Sequence, residues 1–535
     1  MSEPRIKVIR LPSFFQKRQF SAKMNCSLIP PFGMSLICSY LRARGITLDQ
    51  YDLNIEIHYD CTYFPEKPNR LDKELFFDAD RVLKYSQGAK DNQLDLAMEI
   101  AAAYVKISKN DILLLSLPDN IENDSNMLFA LAFSKFIKEN YSTINILGGE
   151  SLWLDLLRKI DNCNNIDYIV YGEGEIAAYH LLNHIIHNQS INNIPGISLS
   201  SGGKVLYSDA TLKPIKPDFN NLVMEKYGTR IESLEYSDDV ATIMENFQKS
   251  ATKILPYRFM KGCPFDCIFC VSSVKDLKYV LTPQEIVQHL SSLQNEFNPT
   301  GFFFLHDTIN ISRKFINSFC DELIKNKVKI MWSDCARVDN LDRDTIFKMR
   351  EAGCIRLIYG METASERLLK YINKNISLDQ LANALKWSDQ AGIWNGIEVI
   401  CGLPQEKEED VTSTISFINE NHDFINRVYL NHFDLRQNTL LYNYPTRYGI
   451  ENIQEVNQHA KLDFISYVRF GFDEIRGLRW NDKMRQIQDS LQRVQNECGL
   501  NHRYFTDEHL LFYLYSNIAN KKDLVSIYAK VKGSN

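Results

Sequence analysis

Residues 258–270 read RFMKGCPFDCIFC and place Cys263, Cys267 and Cys270 in the spacing Cys-x3-Cys-x2-Cys. Three thiolates so close together fit three irons of a cubane [4Fe–4S] cluster, whose fourth iron then keeps an open coordination position. One alternative is a zinc site that takes its fourth ligand from elsewhere in the chain. Another is that three unrelated cysteines share one loop. The spacing favours the cluster over both alternatives.

The rest of the composition is that of an ordinary globular protein of about three domains. The chain has 535 residues, of which 44% are hydrophobic and 24% are charged. The other nine of its 12 cysteines are scattered along the sequence, as expected of small buried side chains that stay reduced in the cytosol. The 61 basic and 67 acidic residues give a net charge of −6, which argues against a nucleic-acid partner.

Neither a membrane span nor a secretory signal is expected from the sequence. No apolar run approaches the roughly 20 residues that cross a bilayer. The N-terminal residues MSEPRIKVIRLPSFF contain no apolar signal core. We therefore expect a cytoplasmic protein without a membrane partner.

Residues 1–208 alternate strand patterns with helix patterns. Strands are predicted over 6–11, 48–53, 111–117, 144–147 and 168–171. Helices are predicted over 34–43, 125–139 and 176–186, with one more between 149 and 168, and a hairpin over 196–207. Residues 55–110 are predicted as a polar, partly helical insertion. Five strands with intervening helices predict an open doubly wound sheet, whose ligands bind at the carboxyl ends of the strands.

A second alternating segment begins near Tyr257, after a connector at 209–250. Its six strands are predicted over 258–260, 301–305, 329–332, 355–359, 396–401 and 428–433, with helices between them. Six βα units are too few for a closed eight-unit barrel, and they predict a partial barrel over 251–445. Apolar periodicity predicts a mostly helical region over 446–535.

The cysteine segment resembles the signature of the radical S-adenosylmethionine (SAM) superfamily, in which an aromatic residue, here Phe269, precedes the third cysteine. Residues 360–365 (GMETAS) are similar to the fourth-strand element of this superfamily. Residues 402–406 (GLPQE) resemble its Gly-x-Pro-x-Glu element after the fifth strand, and residues 332–340 resemble its third-strand segment. The resemblance implies a radical SAM barrel.

Residues 1–208 resemble the cobalamin-binding domain that precedes the barrel in one large branch of the superfamily. The shared features are a Pro-Pro-x-Gly helix start at 30–33, the glycine pair at 148–149 and the string GEGE at 172–175. Two departures are visible. The chain has no Asp-x-His-x-x-Gly string, whose histidine binds cobalt in many cobalamin proteins, and QNTLLY at 437–442 stands where the family often has a Pro-Gly-Thr turn.

The resemblance implies three cofactors: a [4Fe–4S] cluster, SAM bound to its open iron through its amino and carboxylate groups, and cobalamin. The implied cluster ligands are Cys263, Cys267 and Cys270. The implied SAM contacts are Phe269, Arg337, Glu362, Thr363, Gly402, Leu403 and Pro404. The implied cobalamin contacts are Ser116, Gly148, Gly149, Gly172 and Glu173. Glu362 could equally cap a helix, and Arg337 could equally form a salt bridge at the barrel rim.

In this superfamily, an electron from the cluster cleaves the sulfonium bond of SAM, and the resulting 5′-deoxyadenosyl radical takes a hydrogen atom from the substrate. The resemblance to the cobalamin branch favours methylation of an unactivated carbon of a peptide or natural product. Epimerisation or rearrangement without methyl transfer is the alternative. The implied partners are this substrate and a reductant such as flavodoxin or ferredoxin.

Epimerisation requires a hydrogen donor on the far face of the substrate, commonly a cysteine. Cys335, Cys354 and Cys401 lie on or near three of the predicted strands, and Cys335 is our candidate catalytic residue. Each of the three could instead be a small buried thiol. A non-catalytic interaction protein with a vestigial barrel is a third class. The intact cysteine triplet and the SAM-like glycine motifs argue against it.

Overall fold

The computed structural model describes residues 4–16, 22–24, 29–64, 70–117, 125–149, 164–200, 202–228, 234–272, 277–456, 469–499 and 508–533. The described residues of 1–227 pack as one compact unit, and those of 228–456 and 469–535 pack as a second. The four segments predicted from the sequence, with boundaries at 208, 250 and 445, stay a prediction.

The strands are β1 (Ile6–Arg10), β2 (Phe14–Gln16), β3 (Ala22–Met24), β4 (Leu48–Asp52), β5 (Ile112–Ser116), β6 (Ile144–Gly149), β7 (Tyr168–Gly172), β8 (Ile197–Leu199), β9 (Val205–Ser208), β10 (Leu234–Tyr236), β11 (Ile254–Tyr257), β12 (Met260–Lys261), β13 (Tyr279–Val280), β14 (Gly301–Phe304), β15 (Trp332–Ala336), β16 (Cys354–Glu362), β17 (Trp394–Cys401), β18 (Arg427–His432), β19 (Ile450–Val456), β20 (Arg469–Glu474) and β21 (Val531–Gly533).

The α-helices are α1 (Phe32–Arg42), α2 (Leu53–Tyr63), α3 (Ala79–Ser86), α4 (Asn92–Val105), α5 (Ser125–Tyr141), α6 (Gly174–His187), α7 (Ala241–Lys249), α8 (Pro283–Phe297), α9 (Arg313–Lys325), α10 (Arg343–Glu351), α11 (Glu366–Tyr371), α12 (Leu378–Gln390), α13 (Glu408–Glu420), α14 (Leu440–Asn443), α15 (Trp480–Glu497), α16 (Glu508–Asn517) and α17 (Lys521–Ala529).

The first unit is built on a seven-stranded sheet with the strand order β4-β1-β5-β6-β7-β9-β8. Every neighbouring pair is parallel except β8 and β9. From β1 the chain crosses to β4 on one side and then returns to β5 on the other. The carboxyl ends of β1 and β5 therefore form the switch point at which open α/β sheets bind ligands. The predicted mixed α/β class with parallel sheets is confirmed.

The predicted insertion at 55–110 contributes helices to the core of this unit. In α4 the buried side chains recur at helical spacing: Leu94, Ala97, Met98, Ala101 and Val105. This spacing gives the helix one apolar face. The face shares a hydrophobic core with Leu115 of β5 and with α5. The insertion thus covers one face of a sheet that would otherwise meet water.

The second unit is built on a six-stranded parallel sheet, β11-β14-β15-β16-β17-β18. Helices α8 to α13 alternate with these strands along the chain, which is the arrangement of a partial βα barrel. In the part of the chain that the structure describes, no hydrogen bond joins β11 to β18, so the sheet stays open.

Helix α16 closes the amino-terminal end of this sheet. A Cβ placed on Gly301, the first residue of β14, would lie 2.2 Å from the ring of Phe512, so helix and strand are in direct contact. Arg356 of β16 is fully buried, and its Nη1 lies 2.5 Å from Oε1 of Glu508. Because this end is closed, ligands meet the sheet at its carboxyl end, where the catalytic residues of βα barrels lie.

The first strand of the second sheet, β11, begins four residues before the predicted strand at 258–260, and that prediction is wrong. Pro256 interrupts the apolar string ILPY, and a proline cannot donate a hydrogen bond to a neighbouring strand. Among the described strands, β11 pairs only with β14. A proline is tolerated at such an edge position.

The strand β15 is also displaced along the sequence. It begins at Trp332, which is the last residue of the strand predicted over 329–332. The acidic residue Asp334 argued against a strand in the sequence, but its side chain is buried within β15. His306 Nδ1 donates to its carboxylate at 2.5 Å, while His306 Nε2 accepts the backbone N–H of Phe259 at 3.0 Å. Both ring nitrogens of His306 are therefore satisfied, and this pairing allows an acidic residue within the sheet.

The C-terminal residues contain the predicted helices, α15 to α17, and also strands that the sequence did not predict. β19 and β20 form an antiparallel pair, with Ile450 opposite Glu474. β21 pairs with β10 in the same manner. The pair β19–β20 matters for the site, because it places Glu474 near the loop after β17.

Most of the helix predicted between 149 and 168 falls on residues 150–163, which lie outside the described residues. The five predicted strands of the first unit begin and end within two residues of β1, β4, β5, β6 and β7. Among the described helices, none is long and apolar enough to cross a lipid bilayer.

Candidate active site

The three cysteines lie on the loop that follows β12. Cys267 is buried, Cys263 and Cys270 are half-buried, and all three are free thiols. Within the described residues, no three His, Cys, Asp or Glu side chains are grouped as ligands of one metal ion. Ligands of a single zinc ion lie within about 4 Å of one another, because each is about 2.3 Å from the metal. In a cluster each thiolate binds a different iron, so its cysteine ligands lie farther apart than those of a single zinc ion.

Backbone hydrogen bonds fix the middle of this cysteine loop. The N–H of Ile268 donates to the carbonyl of Ile372, at the end of α11, at 3.1 Å. The carbonyl of Ile268 accepts the N–H of Leu441 in α14, also at 3.1 Å. The residue between Cys267 and Phe269 is thus bonded on both sides to segments that follow the strands of the sheet.

Arg337, directly after β15, joins the cysteine loop to the sheet. Its Nη1 lies 3.6 Å from Sγ of Cys267, and its guanidinium lies over the ring of Phe265 at 4.0 Å. Nη2 donates to the carbonyl of Lys374 at 2.6 Å, and Nε donates to Oδ1 of Asp339 at 3.0 Å. The salt bridge expected at the barrel rim is present, and the buried positive charge also lies beside one thiol.

Burial raises the pKa of the Cys263 thiol, and it raises the pKa of Cys270 to about 11. The nearby carboxylate of Asp307 raises both pKa values further, while the Arg337 guanidinium lowers that of Cys263. Both side chains are therefore neutral thiols at pH 7 unless a nearby cation offsets the negative charge of the thiolate. Bound metal ions supply that charge and deprotonate the thiols that ligate them. The residues present fit a metal cluster.

Glu362 and Lys374 form a buried ion pair near the cysteine loop, with Nζ and Oε1 2.8 Å apart. Glu362 ends β16 with a left-handed backbone, φ 65°, which is uncommon for a residue other than glycine. Gly360 leaves space for the pair, since a Cβ there would lie 2.5 Å from Nζ of Lys374. The helix-capping alternative for Glu362 is not observed, because Ser365 caps α11.

Sequence reasoning missed Glu398, which lies beside this ion pair. Glu398 of β17 is the register partner of Gly360, and its Oε2 accepts a hydrogen bond from Nδ2 of Asn431 at 2.9 Å. Burial, and then the carboxylate of Glu362, raise the pKa of Glu398 to about 7. A single glutamate inside the apolar string GIEVI was the available signal. This part of the site therefore combines the ammonium of Lys374 with two carboxyl groups.

The other predicted SAM contacts are distributed around this cluster. Phe269 is half-buried within the cysteine loop. The hydroxyl of Thr363 lies 3.2 Å from that of Thr414 in α13 and accepts the N–H of Ser365, so it already has protein partners. The loop after β17 contains three buried residues of the predicted set: Gly402, Leu403 and Pro404.

Of the three candidate hydrogen donors, Cys335 lies on the inside of the sheet. Its electrostatic neighbours are Glu398 and Arg356, on two other strands, and burial raises the pKa of its thiol far above the usual value. Cys354 is buried near Arg350 and Cys320, and Cys401 is buried near Glu406 and Cys498. Cys335 is therefore the cysteine of this set that lies within electrostatic reach of Glu398.

The residues predicted at a cobalamin site lie at the carboxyl edge of the sheet of the first unit. Ser116 of β5 and Gly148 of β6 are register partners near the strand ends, and Gly172 ends β7 just before Glu173. Among the described residues, a Cβ on Gly148 would meet the carbonyl of Val170 alone, at 3.8 Å. This position leaves open space beside the strand that a side chain would fill.

Gly149 and Gly172 are glycines for local structural reasons. A Cβ on Gly149 would lie 2.9 Å from the side chain of Leu117. Gly172 has a φ of +88°, and a Cβ there would lie 2.0 Å from the carbonyl of Ser208. Of these three glycines, Gly148 is therefore the one with space beside it for a ligand.

Comparison with known proteins identifies part of the second unit. Residues 257–418 match the family model of the radical SAM superfamily, so the chain contains a radical SAM domain, as predicted. It is 26% identical over 332 residues to an uncharacterized methyltransferase of Pyrococcus horikoshii, a match that covers 60% of this chain and 67% of that protein. This domain implies a [4Fe–4S] cluster and SAM as cofactors.

A second relative is the anaerobic magnesium-protoporphyrin IX monomethyl ester cyclase of Rubrivivax gelatinosus. The two chains are 28% identical over 288 residues, which are 51% of this chain and 48% of the cyclase. The present chain thus matches about half the length of that enzyme.

Two solved structures share the fold. The cobalamin-dependent S-adenosylmethionine radical enzyme OxsB, solved with aqua-cobalamin and SAM bound, gives a TM-score of 0.57 at 14% identity, with 98% of this chain and 72% of that chain covered. The radical SAM methyltransferase TsrM from Kitasatospora setae, solved with tryptophan substrate and a SAM analog, gives 0.58 at 12% identity, with 99% of each chain covered. At these identities the likeness concerns the fold alone.

The substitution Arg337→Met removes a positive charge 3.6 Å from Sγ of Cys267. Because a nearby positive charge stabilises the reduced, more negative form of a cluster, we expect the reduction potential of the reconstituted cluster to fall by tens of millivolts, where about 59 mV is a tenfold change. Potentiometric titration followed by EPR, without SAM, measures this. The control Arg343→Met removes an exposed arginine. An unchanged potential in fully loaded R337M would show that Arg337 does not act on the cluster.

Proposed function

We propose, from the radical SAM domain in residues 257–418, that this protein is a cobalamin-dependent radical SAM methyltransferase. Cys263, Cys267 and Cys270 hold the cluster, and an unactivated carbon of a peptide or natural product receives the methyl group. The observation that carries the proposal is the buried Glu362–Lys374 pair, which lies within electrostatic reach of Cys267.

The charges of the site complement those of SAM, which carries an amino group, a carboxylate and a sulfonium. Lys374 offers a cation to the carboxylate, while Glu362 and Glu398 offer carboxyl groups to the amino group and the ribose hydroxyls. Because Lys374 and Glu362 are buried, their interactions with a bound charge are stronger than at an exposed surface. The bound cluster supplies the electron that breaks a carbon–sulfur bond of SAM, with methionine and a 5′-deoxyadenosyl radical as the products.

The loop after β17 offers an apolar surface for the adenine of SAM. Leu403 and Pro404 are buried there, and Gly402 has a φ of 89°, a backbone conformation that glycine adopts without strain. Phe269 adds an aromatic ring from the cysteine loop. An apolar, water-poor pocket also protects a carbon radical from side reactions.

The carboxyl edge of the first sheet supports the cobalamin part of the proposal. Open α/β sheets bind ligands at this edge, and Ser116, Gly148 and Glu173 lie there with free space at Gly148. A fold neighbour was solved with aqua-cobalamin bound. Bound cobalamin would supply a carrier that takes a methyl group from one SAM and gives it to the substrate carbon. Without an Asp-x-His-x-x-Gly string, no histidine of that motif is expected on the cobalt.

The interior position of Cys335 favours a second candidate function, epimerisation. Cys335 would return a hydrogen atom to the substrate radical from the opposite face, and an external reductant would restore the thiol with one electron and one proton. Both candidate reactions need a one-electron reductant such as flavodoxin or ferredoxin.

The substitution Gly148→Leu should abolish cobalamin binding, because the new side chain fills the open space beside the end of β6. Binding is measured by the visible spectrum that remains after desalting a hydroxocobalamin-loaded sample. The control is Gly202→Leu, at a position with no neighbouring atom within 4 Å of its Cβ. Equal cobalamin retention by Gly148→Leu and wild-type protein would place the cofactor elsewhere, and no retention by wild-type protein would remove the cobalamin part of the proposal.

The first stage of the decisive experiment needs no substrate. Cobalamin-loaded, anaerobically reduced protein is incubated with SAM labelled in its methyl group. Methyl transfer predicts about one equivalent of S-adenosylhomocysteine per cobalamin and label in the cobalamin fraction, together with slow 5′-deoxyadenosine formation. Once a substrate is added, both products should form in about equal amounts, because each methylation consumes two SAM.

The variant Cys270→Ala is the matched control for this experiment. It should form no 5′-deoxyadenosine, because the cluster loses one of its three ligands. Production of 5′-deoxyadenosine by wild-type protein without any S-adenosylhomocysteine would contradict methyl transfer and leave epimerisation or rearrangement as the reaction.

A further inference from the structure

The loop of residues 402–406, which follows β17, has an unusual backbone. Gly402 and Gln405 are both left-handed, with φ values of 89° and 65°, and the second is uncommon for a residue with a side chain. A loop of this shape keeps its conformation only when the surrounding structure holds its backbone groups in place. Arg367 donates to the carbonyl of Gln405 at 2.8 Å, and the Glu406 carboxylate accepts the N–H of Gly402 at 2.9 Å. Further bonds to the loop come from the C-terminal part of the chain.

Lys483 of α15 makes the main contact with this loop. Its side chain is fully buried, and its Nζ lies 2.7 Å from the carbonyl of Leu403 and 3.0 Å from Oε1 of Glu474. The same carboxylate oxygen accepts the backbone N–H of Gln405 at 2.8 Å. One buried ion pair therefore holds the loop at two backbone positions.

Three more side chains on the same face of α15 contact the loop. Gln486 Nε2 donates to the carbonyl of Glu406 at 2.7 Å, and the hydroxyl of Ser490 donates to its carboxylate at 3.2 Å. Ile487 packs on Gly402, where a Cβ would lie 2.1 Å from Cγ1 of the isoleucine. Together with Lys483, these residues follow the spacing i, i+3, i+4 and i+7, which places them along one side of a helix.

A purely structural role would not require an ammonium at this position. Burying a charged group is costly, and apolar side chains often serve as well or better in a protein core. The ammonium instead supplies directed hydrogen bonds, and it places them on Leu403 and on the carboxylate that binds Gln405. Both of these residues belong to the loop that the proposed function places at the adenine of SAM.

We propose that Lys483 is a positioning residue that holds the loop of residues 402–406 in the shape that receives SAM. The segment of residues 469–490 then determines the affinity for SAM without touching it. This inference rests on the proposed function. The inference gives the C-terminal segment a role in SAM binding, in addition to any role in the choice of substrate.

The test uses Lys483→Met, which removes the charge and keeps an unbranched side chain. The full-length protein is reconstituted anaerobically, and equilibrium dialysis gives its dissociation constant for SAM. We expect about tenfold weaker binding, the effect of losing one hydrogen bond to a charged group, with unchanged iron content. At saturating SAM, the rate of 5′-deoxyadenosine formation should stay within about twofold of wild type, because only the binding step is affected.

Arg485→Met is the matched control. Arg485 lies on the same helix, is exposed, and pairs with Asp482 at the surface. Its replacement should leave the affinity for SAM, the iron content and the reaction rate unchanged.

SAM affinity equal to wild type in Lys483→Met would overturn the proposal, as would a parallel loss of iron and of the rate at saturating SAM. If this variant does not fold, the variant Gln486→Leu tests the proposal instead. It removes the hydrogen bond to the carbonyl of Glu406 and the hydrogen bond that Gln486 accepts from Lys483. It should weaken SAM binding with normal iron content, and wild-type affinity would overturn the proposal. Wild-type protein that holds iron but binds no SAM would instead contradict the proposed function.

Discussion

Charge compensation beside the three thiols of the cysteine loop is the constraint on which the candidate site depends. A buried charge without a partner destabilises a protein by several kcal/mol, and each charge near the cysteine loop is bonded accordingly. Arg337 contacts Cys267 and Asp339, and Lys374 pairs with Glu362. The half-buried thiols stay neutral because burial raises the pKa of each. Iron bound to them would complete the balance of charge, so the loop suits a metal cluster.

The parallel sheet is what brings these groups together. The carboxyl ends of parallel strands meet at one edge. The residues that follow β15 and β16 therefore lie near Glu398, the residue of β17 that is paired with Gly360. Helix α16 closes the other end of the sheet, and α15 holds the loop after β17 from outside. Two left-handed residues that are not glycine, Glu362 and Gln405, occur at these strand ends. Backbone strain of this kind is concentrated at binding sites, where the surrounding contacts maintain it.

The sequence predicts the parts of the site whose chemistry is local. Cys263, Cys267 and Cys270 lie within eight residues, so one short segment carries both the ligands and their spacing. The same holds for the strings GMETAS and GLPQE, in which the turn and the functional group are neighbours. The alternation of strands and helices likewise predicts both parallel sheets.

Other features depend on distant partners and leave no local signal. Asp334 fits inside β15 because of a histidine 28 positions away, and Pro256 fits in β11 because of its edge position. Lys374 pairs with a residue 12 positions away, and Lys483 bonds to one 80 positions away. Single residues of this kind read as ordinary surface charges until the fold shows what they contact.

The central claim is that the cysteine loop carries a cluster whose open iron binds SAM. Electron–nuclear double resonance tests it most directly, on reduced, iron-loaded protein with SAM that is labelled with ¹⁵N in its amino group. The account predicts a hyperfine coupling between the cluster and this nitrogen, because the amino group binds the iron that lacks a cysteine ligand. Bound SAM without any such coupling, in protein with a full complement of iron, would contradict the account.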